Sequence, residues 1–396
     1  MRIVHLADIH LGFRQFQRQT PTGINQREAD VAGALKRVID KVIELKPDLV
    51  LIAGDVFHTV RPTNPAILHA FTQFSRLRQM LPDSTVVMVA GNHDIPRTSE
   101  TGCILGLFKP LGINVVESEP RAIRLDELDA SILAVPDLPG TRPSLEPDPT
   151  VKYNILLLHG EVEGVIPRYG QTLERSPMEI SHEELGAHRW DYVALGHYHV
   201  YRSVAPNAFY SGSLDYTSSN PWGELGEERD AGIAGKGIIE HDLAKGTHRF
   251  HPIASSRPWV DLTPVSGEGM SPSALDDAIR EALACCEGGI EEKIVRLVVR
   301  DVPRHILRDL DHKALRDYKR RALHFHLDTR RPEIVRRDSG QGAPGRRPSL
   351  ADTVRDKLSS RSITENINRD ALVELGLHYL READVLAGPS VEEATA

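Results

Sequence analysis

The sequence contains few cysteines and no long apolar segment. Only Cys103, Cys285 and Cys286 occur among 396 residues, too few for a disulfide framework or for a structural zinc site made of thiolates. No apolar run approaches the roughly 20 residues that a membrane-spanning helix needs. The N-terminal segment reaches the charged residue Asp8 too early to be a signal peptide. We therefore expect a protein of the reducing cytoplasm that has no membrane association.

Net positive charge is lacking as well. The 48 Lys and Arg residues against 56 Asp and Glu residues give a net charge of −8, which by itself argues against a nucleic-acid ligand. The distribution is uneven, because the segment 296–347 has 15 basic and 7 acidic residues and carries a charge of +8. Such a segment can form a local positive surface for nucleic acid on an acidic chain. It can equally be the solvated face of a helix, so charge alone leaves both interpretations open.

Short apolar runs alternate with longer amphipathic segments over residues 1–250. The runs are rich in Val, Ile and Leu and lack polar alternation, which is typical of buried strands. They cover residues 2–7, 48–53, 85–90, 131–135, 154–158 and 192–195. Apolar residues three or four positions apart from Val31 to Leu45 predict a helix between the first two strands, and Ile67, Phe71 and Phe74 predict another. This alternation predicts a layered α/β domain.

The pattern changes after residue 255. Strand-like runs at 259–265, 293–299 and 322–327 alternate with helical segments at 271–286 and 305–317. The helix at 271 has a favourable start, with Ser271 as its cap and Pro272 at its first helical position. These elements predict a small α+β domain.

The C-terminal part begins with a segment rich in glycine and proline, which predicts a linker. Two short helices follow it, one carrying Leu350, Val354 and Leu358 and the other Leu372, Leu375 and Tyr379. Because these helices are short, we expect their apolar faces to need another surface. The expected divisions are a first domain at 1–255, a small domain at 256–335, the linker at 336–349 and a helical segment at 350–387.

Polar clusters follow the predicted strands of the first domain. They are Asp8-x-His10, Gly54-Asp55 with His58, Gly91-Asn92-His93-Asp94, His159-Gly160 and Gly196-His197-x-His199. Because ligands bind beyond the carboxyl ends of strands in an open α/β sheet, we expect the five clusters to converge. They offer carboxylate, imidazole and amide oxygen but no thiolate, which suits hard or borderline divalent ions. The clusters supply at least seven such groups, which exceed the roughly three protein ligands of one catalytic ion and fit two ions that share a carboxylate.

Each motif alone has an ordinary structural explanation, since Gly-Asp pairs form turns and Asn-His-Asp can cap a helix. The ordered set resembles the signature of the calcineurin-like metallophosphoesterases. Its variants, Gly54-Asp55-Val-Phe-His58 before Arg61-Pro62 and Ala194-Leu-Gly-His-Tyr-His199, resemble the SbcD-like nucleases, bacterial counterparts of the meiotic-recombination-eleven DNA-repair nuclease. The resemblance implies a layered β-sandwich flanked by helices, a small α+β DNA-capping domain, and C-terminal helices that bind a coiled-coil ATPase of the SbcC type.

The resemblance also implies roles for individual residues. The first ion would be held by Asp8, His10 and His199. The second would be held by Asn92, His159 and His197, with Asp55 bridging the two. His93 is expected to stabilise developing charge or to protonate the leaving oxygen, with Asp94 fixing its tautomer. His58, three residues beyond Asp55, is expected to reach the same cleft.

The function implied by the resemblance is that of a DNA phosphodiesterase of double-strand break repair with two ions, which are expected to be manganese. It would act as a 3′→5′ exonuclease on duplex DNA and as an endonuclease on single strands. A homodimer is expected through the segments 65–81 and 103–108, although core packing explains the same apolar residues. Two alternatives stay open: a phosphoesterase for nucleotides or cyclic nucleotides, and a DNA-end tether whose catalysis is dispensable.

Overall fold

In the computed structural model of the protein, the described residues are 1–96, 102–138, 140, 143–166, 176–332, 350–360 and 368–387. The chain divides into two compact units, Met1–Pro332 and Glu333–Ala396, and each is described by itself. The predicted linker at 336–349 lies outside the described residues, and the predicted domain boundary at 255 stays a prediction.

Two six-stranded sheets form the centre of the first unit. The first contains, in spatial order, β14 (Thr247–Pro252), β13 (Gly237–Asp242), β1 (Arg2–Leu6), β2 (Leu49–Ala53), β3 (Thr85–Val89) and β4 (Asn114–Val116). The second contains β11 (Arg202–Ala205), β12 (Ala208–Tyr210), β10 (Tyr192–Gly196), β7 (Tyr153–His159), β6 (Ala130–Val135) and β5 (Arg121–Leu125). Strands β1 to β4 are parallel, and so are β6, β7, β10 and β12. The carboxyl ends of the central strands therefore lie together at one edge of each sheet.

The two sheets pack face to face through fully buried side chains. Leu49, Leu51 and Val87 of the first sheet belong to one apolar cluster with Ile155 and Leu157 of the second. Each such side chain contributes about 1.5–3 kcal/mol by its burial. The predicted strands of the first domain are confirmed, and so is the layered β-sandwich.

Helices cover the outer faces of the sandwich. The first sheet is covered by α1 (Gln26–Leu45) and α2 (Asn64–Met80), whose caps Asn25 and Thr63 accept backbone N–H groups. A 3₁₀ helix at Ile104–Leu111 packs against α2. The remaining elements of this region are β8 (Glu161–Val162), β9 (Glu179–Ile180), α3 (His182–Leu185), α4 (Pro221–Asp230) and 3₁₀ turns at Asp126–Leu128 and Ala187–Arg189.

A small parallel sheet follows in the first unit. It contains β15 (Trp259–Ser266), β16 (Ile294–Arg300) and β17 (His324–Thr329), packed with α5 (Pro272–Ala284), α6 (Arg304–Arg308) and α7 (His312–Arg321). The prediction of one helix over 305–317 is wrong. The Asp311 side chain accepts the N–H groups of Lys313 and Ala314, so it caps a new helix and separates α7 from α6. The third strand begins at His324, two residues later than predicted.

The second unit contains the two predicted helices, α8 (Leu350–Ser360) and α9 (Arg369–Ala387). They pack closely, because a Cβ atom on Gly376 would meet Leu358 and Val354. Leu375 and Tyr379 lie exposed on α9, with 49% and 62% of their surface accessible. Within the described parts of the chain, no helix combines the length and apolar character needed to cross a bilayer.

The core contains a histidine that is expected to make stability depend on pH. Nε2 of His5 donates to the Leu195 carbonyl and Nδ1 accepts from the Tyr192 hydroxyl, both at 3.1 Å, so the neutral ring satisfies both nitrogens. Burial lowers the pKa of His5 to about 3. The unfolded chain, with a histidine pKa of about 6.5, therefore binds the proton first, and stability is lost as the pH falls below that value.

For His5→Gln, we expect the loss of unfolding free energy between about pH 6 and pH 4 to be smaller than in the wild type, by up to about 1.4 kcal/mol per pH unit. Urea unfolding of both chains in chelator measures this difference, since the other titrating groups are common to the two. Equal pH slopes would show that His5 is not the group responsible.

Candidate metal centre

The predicted site residues lie in turns at the carboxyl ends of the strands. Asp8, His10 and Asp55 each have a φ angle of 51°, and His197 has one of 106°. This region favours glycine, and other residues in it cost about 1–3 kcal/mol each. The turns hold one another in place, since Asp8 N–H donates to the Gly54 carbonyl at 3.1 Å and His10 N–H to the Asp55 carbonyl at 2.9 Å. Four of the nine non-glycine residues with positive φ in the described part of the chain therefore lie where the polar side chains converge.

A first cluster consists of Asp8, His10 and His199, whose potential ligand atoms all lie within 4.8 Å of one another. The Nε2 atoms of His10 and His199 are 3.0 Å apart. Both Asp8 oxygens accept the backbone N–H of His197, at 3.0 and 3.1 Å. Asp8 and His10 are almost completely buried. The cluster therefore brings one carboxylate and two imidazoles to a single point away from bulk water.

A second cluster consists of Asp55, His159 and His197, again with potential ligand atoms within 4.8 Å. Nδ1 of His159 donates to the Ala53 carbonyl at 2.7 Å, which directs Nε2 toward the cluster. Oδ1 of Asn92 lies 3.2 Å from this Nε2. Nε2 of His197 accepts the N–H of Ser176 at 3.1 Å, which leaves Nδ1 as its ligand atom.

Asp55 connects the two clusters. Its Oδ2 atom lies 3.8 Å from Nε2 of His10 and 3.5 Å from Nε2 of His159. Its Oδ1 atom accepts the N–H of His93 at 2.9 Å, which fixes the plane of the carboxylate. One oxygen of this carboxylate therefore lies within 4 Å of a predicted ligand of each ion.

The pKa values of the site residues are set by burial and by the charges of neighbouring carboxylates and imidazoles. Burial raises the pKa of Asp8 to about 6 and lowers that of His197 to about 3. Burial acts against ionisation of Asp55 as well, but His159 and His93 hold the pKa of its carboxyl below the ordinary value. Burial likewise opposes protonation of His159, and Asp55 and Asp8 raise its pKa to about 9. Carboxylates that must stay ionised in so buried a place require a cation.

The donor set fits two divalent ions. It contains carboxylates, imidazoles and an amide oxygen without thiolate, the ligands of hard and borderline metals, and a shared carboxylate is typical of centres with two ions. Small residues make the close approach possible: a Cβ atom on Gly91 would overlap the Asp55 carboxylate, and one on Gly196 would overlap the Ala53 carbonyl.

The three residues predicted to act in catalysis lie beside these clusters. His10, His58 and His93 form a further group with ring nitrogens within 4.8 Å. Nδ1 of His93 donates to the backbone carbonyl of His58 at 2.7 Å, and the two rings stack with centroids 5.2 Å apart. His58 thus orients His93 through its main chain.

Asp94 has other partners than the prediction assigned to it. Its carboxylate accepts the backbone N–H groups of Val56, Phe57 and Gly91 at 3.0–3.1 Å. It therefore ties the turn after β2 to the turn after β3. The proton on Nδ1 of His93 points at a carbonyl oxygen, so the tautomer of this ring is set by a main-chain acceptor.

Sequence reasoning missed several polar residues behind the ligands. Glu224 on α4 and Lys236 before β13 are buried close to His199. Ser176, which donates to His197, also donates its hydroxyl to Asp137 at 2.7 Å. Asp137 stands two residues beyond the predicted strand 131–135, as Asp55 does beyond 48–53, so the strand-end pattern could have found it. The pattern could not find Glu224, Lys236 and Ser176, because only the tertiary fold brings them to the site.

The first half of the chain matches the sequence model of the family described as calcineurin-like phosphoesterase, over residues 1–201. The DNA double-strand break repair protein Mre11 of Methanococcus maripaludis is 29% identical over 254 residues, covering 62% of this chain and 63% of that protein. Mre11 of Methanocaldococcus jannaschii is 28% identical over 253 residues, with the same coverage. That of Methanopyrus kandleri is 27% identical over 217 residues, covering 50% of this chain and 45% of that protein. The similarity to these relatives spans less than two thirds of their length.

Proposed function

This chain belongs to the calcineurin-like phosphoesterase family, and from that premise we propose that it is a DNA phosphodiesterase with two metal ions. The observation that carries the proposal is the position of Asp55, whose Oδ2 atom lies between His10 and His159 at 3.8 and 3.5 Å. A carboxylate in this position can bind two ions at once, which is the arrangement used to clamp a phosphodiester.

Seven residues would hold the ions. The first ion would be bound by Asp8, His10 and His199, the second by Asn92, His159 and His197, and Asp55 would be shared. When bound, two divalent ions activate water for attack and stabilise charge on phosphodiester oxygens. The turns that carry the ligands keep these side chains in place before substrate arrives, so little reorganisation is needed during the reaction.

His93 is the residue to which we assign the proton transfer. Its Nδ1–H is directed at the His58 carbonyl at 2.7 Å, which holds the ring in one orientation. A proton on Nε2 would then pass to the oxygen that leaves phosphorus. Asp94 supports this arrangement by holding the turn that carries His93, through the N–H groups of Val56, Phe57 and Gly91.

DNA is the substrate that the chain's surface and its relatives favour. Helix α7 of the small sheet region presents Lys313, Arg316 and Lys319 to solvent, and basic side chains along one helix suit a phosphate backbone. The relatives are described as DNA double-strand break repair proteins. A nucleotide or cyclic nucleotide needs no such extended basic surface, so the small-molecule alternative accounts for less of the molecule.

Finer aspects of the proposal come from the resemblance. We assign manganese to the centre, and 3′→5′ exonuclease action on duplex DNA together with endonuclease action on single strands. A coiled-coil ATPase of the SbcC type is the proposed partner of α8 and α9, where Leu375 and Tyr379 are exposed. A homodimer through α2 is supported by Leu68 and Phe71, which are 68% and 38% exposed. The protein would act on the nucleoid in the cytoplasm.

Cleavage of end-labelled DNA tests the proposed function. With manganese, we expect the purified chain to release mononucleotides from the 3′ ends of duplex DNA and to cut single strands, and chelator should stop both reactions. Hydrolysis of a cyclic nucleotide or of bis(p-nitrophenyl) phosphate without DNA cleavage would favour the small-molecule alternative. Tight DNA binding without any hydrolysis would favour the tether.

A further inference from the structure

One ligand histidine faces a carboxylate with the nitrogen that points away from the metal cluster. Nε2 of His199 lies in the first cluster, 3.0 Å from Nε2 of His10. Its Nδ1 atom is buried, lacks a hydrogen bond within 3.5 Å, and lies 3.6 Å from Oε1 of Glu224. His159 differs, because its second nitrogen already donates to a carbonyl at 2.7 Å. The only acidic partner recorded for Nδ1 of His199 among the described residues is Glu224.

Glu224 is itself held in place by buried groups. It lies in the first turn of α4, and its carboxylate accepts the Ser218 hydroxyl and the Lys236 ammonium. Lys236 also donates to the backbone carbonyl of His199 at 2.7 Å and pairs with Glu228 at 2.8 Å. Lys236 is 4% exposed and Glu224 is 7% exposed. His199 is therefore held at its main chain by the lysine and approached at its ring by the glutamate.

Burying two carboxylates and one ammonium is costly, since a pair of buried charges rarely stabilises a fold more than apolar packing would. If His199 binds a metal ion, orienting its ring would explain why these costly buried charges are present. A histidine bound to metal through one nitrogen commonly donates its other N–H to a carboxylate, which fixes the ring and strengthens it as a ligand. A short approach from 3.6 Å would complete that hydrogen bond.

We propose that Glu224, held by Lys236, is a positioning residue that orients His199 through Nδ1 and thereby sets the affinity of the first ion. The proposal rests on the proposed function, because it assumes the centre with two ions. It goes further than that function, because it makes the affinity of the first ion depend on Glu224 and Lys236 and leaves the affinity of the second ion independent of them. The histidines proposed for the second ion have other partners at their second nitrogens, the Ala53 carbonyl for His159 and the Ser176 N–H for His197.

Metal titration of the full chain tests this assignment, with Glu224→Gln as the variant and Glu228→Gln as its matched control. Glu228 is buried in the same helix and forms an ion pair with the same lysine, but its side chain accepts a hydrogen bond from Tyr216, at 2.6 Å, and does not face His199. Calorimetric titration with Mn²⁺ in the absence of DNA should show one ion weakened about 10–100-fold in Glu224→Gln and the other unchanged. In Glu228→Gln both ions should bind within about twofold of the wild type.

Two results would overturn the assignment. In the first, Glu224→Gln binds both ions as tightly as the wild type. In the second, the affinities of both ions fall by the same factor in Glu224→Gln and in Glu228→Gln. If Glu224→Gln does not fold, ¹⁵N spectra of the histidine rings in the Zn²⁺-loaded wild type decide instead. We expect the Nδ1–H of His199 to show the downfield shift of a proton donated to a carboxylate, and an Nδ1–H without that shift contradicts the proposal. A wild-type chain that binds two ions but leaves DNA intact would refute the proposed substrate and not this assignment.

Discussion

Asparagine in place of Asp55 is expected to lower the rate of DNA cleavage at least about 10³-fold and to reduce the number of tightly bound ions. The amide can still accept the N–H of His93, which Oδ1 of Asp55 accepts at 2.9 Å, so the turn should keep its shape. With its oxygen toward His93, the amide would place an uncharged NH2 group where Oδ2 of Asp55 lies between His10 and His159, and that position needs an anionic oxygen. Single-turnover cleavage and equilibrium dialysis with Mn²⁺ measure the two effects.

The control for this variant is Asp83→Asn, which removes a carboxylate from an exposed position. It should cleave DNA and bind ions as the wild type does. If Asp55→Asn retains two tightly bound ions and cleaves within about tenfold of the wild-type rate, Asp55 does not bridge them, and the arrangement that carries the proposed function is lost.

Replacing His93 by alanine is expected to slow cleavage about 10²–10⁴-fold while leaving metal and DNA binding close to the wild type. His93 lies outside the two clusters joined by Asp55, so the ions should remain. The loss should be much smaller for a p-nitrophenyl ester of a nucleotide, because its leaving oxygen departs without needing a proton. Cleavage rates on DNA and on this ester, measured for both chains, test the assigned proton transfer.

Two comparisons sharpen the experiment. His188→Ala removes an exposed histidine and should change neither rate. If His93→Ala lowers the cleavage rates of DNA and of the p-nitrophenyl ester by the same factor, then His93 stabilises charge at phosphorus and does not protonate the leaving oxygen. If the His93→Ala variant also binds fewer ions, then His93 is a metal ligand, and the group of His10, His58 and His93 belongs to the metal centre.

The strands, and with them the positions of the proposed ligands, could be predicted because the signals are local. A short apolar run rich in Val, Leu and Ile, such as 49–53, favours a buried strand over a helix, and β2 is found at Leu49–Ala53. Asp55 follows this strand after Gly54, and the turn at the carboxyl end of a parallel strand lies at the edge of the sheet. The same reasoning applied to β1 and β3 places Asp8 and Asn92 nearby.

Other features could not be predicted from the sequence, because they depend on which hydrogen bonds form in the folded chain. Asp94 adjoins His93 in the chain, but its carboxylate binds three backbone N–H groups and His93 donates to a carbonyl 35 residues away in the chain. The apolar and charged pattern of 305–317 fits one helix, and only the cap at Asp311 shows that there are two. Glu224 reaches His199 through the packing of α4, which has no strand-end signature.

The sequence by itself determined a layered α/β domain, the order of its strands along the chain, and the residues at the carboxyl ends of those strands. These depend on local hydrophobic pattern and on the geometry of parallel strands, both of which are written in short stretches of residues. Only the tertiary structure decided that Asp55 lies between two clusters, that main-chain oxygens orient His93 and His159, and that Glu224 and Lys236 lie behind His199. Such contacts join residues far apart in the chain, and they exist only once the two sheets and α4 have packed together.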